Sequence, residues 1–216
     1  MKALRHWYRG RRFSPFFQAT ETILSLGNLF SRHPLKAEHE ERLKPVFITG
    51  SGRSGNTLMR ALLVAQGEIA IPPESYVLGS AMHEFYRYSY LPWHLLARLG
   101  LSRFESHPQF HTWGLDMLPV YQQALHLEKA QQNFACLIDV LYSAYAKQHQ
   151  PQAHRWGDKT PMNTLYLEEI RQVFPHAQFI HMLRDGLNPS PSWQRTWIKS
   201  LTCWSDMKIW SKNRLR

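Results

Sequence analysis

The stretch Gly50-Ser51-Gly52-Arg53-Ser54-Gly55-Asn56-Thr57 constrains this chain most, because of what flanks it. Val46-Phe47-Ile48-Thr49 before it is a short β-branched and aromatic run, the signature of a buried strand. Residues 57–66 after it are helical in pattern, with Leu58, Leu62, Leu63 and Ala65 on the apolar side. A glycine-rich turn between a strand and a helix aims backbone N–H groups at the positive end of that helix, which is where an anion is held. The spacing is that of a Walker A loop, except that Asn56 stands where the lysine belongs and Arg53 lies inside the loop. A nucleoside triphosphatase needs that lysine on its β and γ phosphates, so the substitution argues against ATP or GTP hydrolysis.

A second unit of the same kind follows. Leu167, Ile170 and Phe174 recur at helical spacing in residues 164–174, before Gln178-Phe179-Ile180-His181-Met182-Leu183 and a turn at Arg184-Asp185-Gly186. Helices alternating with continuously apolar strands predict an α/β fold, a P-loop-like three-layer arrangement with a central parallel sheet flanked by helices. His181, inside a strand read as buried, is expected to be a hydrogen-bonded core residue rather than a catalyst. Between the two units, residues 80–150 are rich in aromatics and histidine, with helical patterns over 119–127 and 134–147, and are read as a helical insertion covering the sheet. The domain is expected to occupy residues 45–216. Residues 1–44 then form a basic leader with a short helix over 17–30 and a polar linker over 33–44.

Bulk properties narrow the class. At 216 residues with 44% apolar content the chain supports one domain with a sizeable core. No window approaches the roughly 18 apolar residues of a membrane span, and no secretory signal is recognisable, so a soluble, cytoplasmic protein is expected. Cys136 and Cys203, without a CxxC pair, favour neither disulfides nor a thiolate metal site. The net charge of +10 points to polyanionic ligands. Lys2, Arg5, Arg9, Arg11 and Arg12 form a basic arm, read as a solvated terminus or a weak contact for an anionic membrane surface; nucleic acid is not expected. His107 and His111 have i, i+4 spacing, but Pro108 interrupts a helix there and no metal is demanded.

The segment from Phe47 to Arg60 resembles the 5′-phosphosulfate loop of the sulfotransferase superfamily, in particular its bacterial and tyrosylprotein-type members. Loops of that family usually read Arg-Ser-Gly-Thr-Thr, so Asn56 is a departure, though one that keeps a small hydrogen-bonding residue at the helix start. The resemblance implies that Arg53, Ser54, Gly55, Asn56 and Thr57 hold the 5′-phosphate and sulfate of 3′-phosphoadenosine 5′-phosphosulfate (PAPS). Phe179 to Gly186, with Ser192 eight residues beyond Arg184, is similar to the family's second motif, in which that arginine and serine grip the donor's 3′-phosphate. Alone, Arg184-Asp185-Gly186 would read as a salt-bridged turn; the pairing with the first loop changes that.

Gly157-Asp158-Lys159-Thr160-Pro161 resembles the segment whose lysine meets the oxygen bridging phosphate and sulfate, where a cation stabilises charge on the leaving group. Lys159 takes that role by resemblance. The small-molecule cytosolic branch carries a histidine base two residues after this lysine, but here Pro161 occupies the position. Glu74, in Ile71-Pro72-Pro73-Glu74-Ser75, lies twenty-one residues after Arg53, as the catalytic glutamate of the tyrosylprotein branch does, and is nominated as the base; its bland alternative is a helix cap. The implied partners are PAPS, its product 3′-phosphoadenosine 5′-phosphate (PAP), and a hydroxyl- or amine-bearing acceptor that nothing in the sequence identifies. A P-loop kinase-like protein and a catalytically silent nucleotide-binding protein are the competing readings. Family members continue well past the second motif, so a chain ending at Arg216 reads as C-terminally truncated or as a fragment.

Overall fold

The computed structural model describes residues 33–37, 43–52 and 54–183. The expected basic arm and the helix over 17–30 lie outside them. Four strands, β1 (Val46–Gly50), β2 (Ile69–Ala70), β3 (Arg155–Asp158) and β4 (Gln178–Met182), form one all-parallel sheet in the order β2-β3-β1-β4. The register places Val46 opposite Gly157 on one side and Gln178 on the other, so all four strands end on one edge of the sheet. The α/β parallel architecture expected from the alternation is the one observed.

The helices follow in chain order: α1 (Asn56–Ala65), α2 (Leu78–Arg87), α3 (Trp93–Glu105), α4 (Met117–Leu125), α5 (Phe134–His149) and α6 (Leu167–Val173). α1 packs on β1 and β2, while α5 packs on β3 and β2. α2 to α5 form the expected helical insertion, and its core is continuous with the sheet. Phe47 meets Trp156 edge-on, Trp156 lies 4.4 Å from Tyr142, and Tyr142 meets Trp113, so one chain of rings links β1, β3 and the insertion. Such pairs add about 0.5–1.5 kcal/mol each beyond their burial, and they leave little freedom for α5 to slide on the sheet.

Four local expectations differ from the structure. The stretch read as a linker is in its described part packed into the fold: the carbonyls of Pro34 and Leu35 accept from the N–H groups of Phe134 and Ala135. These are orphan donors at the start of α5, and Asn133 caps a third through Cys136 N at 2.9 Å. The helix expected over 164–174 begins as a 3-10 turn, Pro161–Tyr166, with proline in the first turn, where its missing N–H costs nothing. β4 is an edge strand among the described residues, with Gln178, Phe179 and His181 exposed, so His181 is not a core residue; its Nδ1 sits 3.2 Å from Thr49 Oγ1. A continuous apolar run marks burial on both faces only for an interior strand. On α1, Leu58 and Leu62 are 66% and 54% exposed, so the apolar stripe read from the helical pattern does not face the core.

Candidate active site

A parallel sheet delivers the residue after each strand to the same crevice, and every described candidate residue lies there. β1 ends at Gly50 and opens the loop, β2 leads through Ile71-Pro72-Pro73 to Glu74, and β3 leads directly into Lys159. β4 ends beside β1, where Gly50 pairs with Met182. Arg53, Arg184 and Ser192 lie outside the described residues.

The loop is built for backbone approach. Gly55 adopts φ +97° as the N-cap of α1 and offers no side chain, so the first-turn amides face outward unmasked. Thr57 is exposed at that helix start. These are the groups a phosphate or sulfate requires, and the cradle fits such an anion. Two of the expected contacts, however, turn inward. Asn56 is 4% exposed; its Nδ2 donates to Ser51 O at 3.0 Å, and its Oδ1 accepts from Ser54 Oγ at 3.1 Å. Ser54 Oγ also lies 2.6 Å from Ser51 O. Both side chains therefore hold the loop's shape, and in this arrangement only their backbones face an anion.

Glu74 and Lys159 are brought together: Lys159 Nζ donates to Glu74 Oε1 in a direct ion pair. Their side chains are 21% and 9% exposed, so the pair is largely buried but not sealed from solvent. α1 braces this arrangement, because Arg60 Nε donates to Ile71 O at 2.8 Å, three residues before Glu74. Gly50 N donates to Thr164 Oγ1 at 3.2 Å, tying the loop's origin to the 3-10 turn after Lys159. Among the described residues, no group of three His, Cys, Asp or Glu side chains could hold a metal ion.

Two features were not legible beforehand. Tyr76 is the one described non-glycine residue at positive φ, +57°, a costly conformation for a bulky side chain and one that clusters at functional sites. Its hydroxyl interacts with Glu74 and its ring stacks on His107 at 5.4 Å. Burial, then the hydrogen bond and the charge of Glu74, push its pKa up to about 12. The second is a buried polar cluster beneath the pair, centred on Asp158, whose carboxylate accepts from Tyr142 Oη at 2.5 Å and Asn163 Nδ2 at 2.7 Å. Burial raises the Asp158 pKa above the usual carboxylate range, partly offset by its hydrogen bonds. One sequence signal existed for this cluster: Asp158 shares a face of β3 with the buried Trp156, and an acid there must find donors.

Comparison with known proteins adds an independent line. Residues 45–213 match the model of the sulfotransferase family. Protein-tyrosine sulfotransferase 1 of Danio rerio is similar, with 28% identity over 141 residues, covering 65% of this chain and 32% of that protein. The chain thus aligns with about a third of that relative's length. No solved structure gives a significant match.

Proposed function

The chain belongs to the sulfotransferase family, and from that premise we propose that it moves a sulfuryl group from PAPS to an acceptor hydroxyl, with Glu74 as the base and Lys159 on the leaving phosphate. The observation that carries this reading is the ion pair of Glu74 and Lys159, placed by β2 and β3 beside the open helix terminus at Gly55 to Thr57.

In this reading the N–H groups at the start of α1 and the Thr57 hydroxyl hold the donor's 5′-phosphosulfate end, and Arg53, Arg184 and Ser192 complete the nucleotide contacts. Glu74 accepts the acceptor's proton as its oxygen bonds to sulfur. The bond from sulfur to the bridging oxygen breaks, and Lys159 donates to that oxygen as negative charge develops on it. PAP leaves, so atoms and charge balance without metal or redox partner. The lysine's contribution grows towards the transition state, which is why its loss falls on kcat. The name of the zebrafish relative makes a tyrosine phenol one acceptor to examine, alongside sugar hydroxyls.

The test has two arms. PAP binding by calorimetry is expected for the full chain and is expected to be lost on Arg53→Ala or Arg184→Ala. Transfer of label from ³⁵S-PAPS to a panel of phenolic, peptidyl and sugar hydroxyls is expected to require Glu74 and Lys159. Unchanged PAP affinity in both arginine variants would overturn the reading. ATP turnover with Mg²⁺ would favour a kinase-like protein, and PAP binding without transfer a silent one.

A further inference from the structure

Among the described residues, the buried polar cluster around Asp158 lies directly under the Glu74–Lys159 pair, and the chemistry above does not use it. Asp158 is 1% exposed, Thr160 0%, Ser75 4% and Asn163 2%. Besides Tyr142 and Asn163, the hydroxyls of Thr160 and Ser75 interact with the Asp158 side chain. Among the described residues no cation pairs with it, since Lys159 is turned to Glu74.

The members of this cluster stand in telling places. Asp158 immediately precedes Lys159 and Thr160 immediately follows it, while Ser75 immediately follows Glu74. Ser75 N donates to Thr160 Oγ1 at 3.0 Å, and the two hydroxyl oxygens are 3.3 Å apart. Beyond the sheet hydrogen bonds of β2 and β3, the segments bearing the base and the cation are thus joined by the Ser75–Thr160 contacts, beside one buried carboxylate. A carboxylate held in the interior by neutral donors alone is a poor stability device, because its desolvation is not repaid by a counter-charge. It is a good geometric one, since the donors of Tyr142 and Asn163 fix its orientation and it fixes theirs.

We propose that Asp158, with Thr160, Ser75 and Tyr142, is a positioning cluster that sets the spacing of Lys159 and Glu74 from beneath, and so governs the rate of transfer rather than the binding of the nucleotide. The proposal rests on the sulfotransferase reading. Groups that orient reacting residues typically change activity about 10- to 100-fold when removed, and for a cluster that acts through them the loss is expected chiefly in kcat.

Thr160→Val, Thr160→Ser and Tyr142→Phe test it, with Asp158→Asn as the most severe change. Each is followed by thermal melting, by PAP calorimetry and by steady-state transfer from ³⁵S-PAPS. The expected result for Thr160→Val is a fall in kcat of about 10- to 100-fold with PAP affinity within about twofold of the parent, and recovery of most of kcat in Thr160→Ser. Tyr142→Phe is expected to behave like Thr160→Val. Should Asp158→Asn fail to fold, the hydroxyl variants decide the matter. Full kcat in Thr160→Val and Tyr142→Phe overturns the cluster's role, as does a parallel loss of kcat, PAP affinity and melting temperature, which is the pattern of a merely structural site. If the parent chain neither binds PAP nor transfers label, it is the sulfotransferase reading that fails, and the proposal falls with it.

Discussion

Lys159 donates to Glu74 across a separation of 85 residues, with its Nζ on Oε1 and its stem nearly buried. The two groups proposed as base and as leaving-group cation therefore neutralise each other. On that proposal, a donor has to draw the ammonium away from the carboxylate before either group acts.

Glu74→Gln is accordingly expected to bind PAP more tightly than the parent, by about 3- to 10-fold, while abolishing transfer. Part of any gain would come from removing a negative charge near a polyanion, and the double-mutant cycle with Lys159→Met separates the two effects. With the lysine absent, the gain from Glu74→Gln should shrink to about twofold or less. An equal gain in both backgrounds would show that the pair does not restrain the lysine.

Restoring the Walker lysine is not expected to restore a triphosphatase. Asn56 is buried, with both ends of its amide engaged by Ser51 and Ser54. Asn56→Lys would bury an ammonium and break the loop's internal bonds, at a cost of about 2 kcal/mol or more in urea denaturation. No ATP hydrolysis should appear.

Gly50 sits at φ +138°, and a Cβ there would stand 2.4 Å from Met182 O on the neighbouring strand. Because the obstacle is backbone and not a movable side chain, β1 and β4 would have to part. Gly50→Ala is expected to destabilise by about 3 kcal/mol or more, read as a lowered denaturation midpoint at unchanged m-value.

Tyr76 offers a check through pH. Its folded pKa is raised from 10.0 to about 12, so the phenol keeps its proton in the fold after it has lost it in the unfolded chain. Its contribution to stability is complete below pH 10, and it is lost as the pH rises through 12. The ultraviolet titration difference between the parent and Tyr76→Phe should have its midpoint near 12, and Glu74→Gln should move that midpoint down while burial keeps it above 10. A midpoint near 10 would mean that Tyr76 neither bonds Glu74 nor is shielded by His107.

Much of the fold was legible because its signals are local. Val46 to Thr49, the glycines after it and the helical pattern behind them depend on contacts a few residues long, as does the helical pattern of α5. Alternation of such units implies parallel pairing, since a parallel neighbour needs a crossover connection. Glu74 and Lys159 could be named from sequence, by resemblance to family motifs. Tyr76 and the partners of Asp158 could not, because a strained φ and donors brought in from other elements have no periodicity to betray them.

The amino-acid sequence by itself determined that β1, α1, α4, α5 and β4 form, and that a glycine-rich loop without a Walker lysine opens α1. Only the tertiary structure decided who meets whom. The sheet order places the ends of β2 and β3 side by side, which makes an ion pair of Glu74 and Lys159 and puts Asp158 beneath them. Among the described residues it leaves β4 on an edge, with His181 exposed, and it turns Asn56 inwards as a staple of its own loop. The physical reason is range: secondary structure answers to neighbours along the chain, whereas an active site is assembled from strand ends that become neighbours only when the sheet closes.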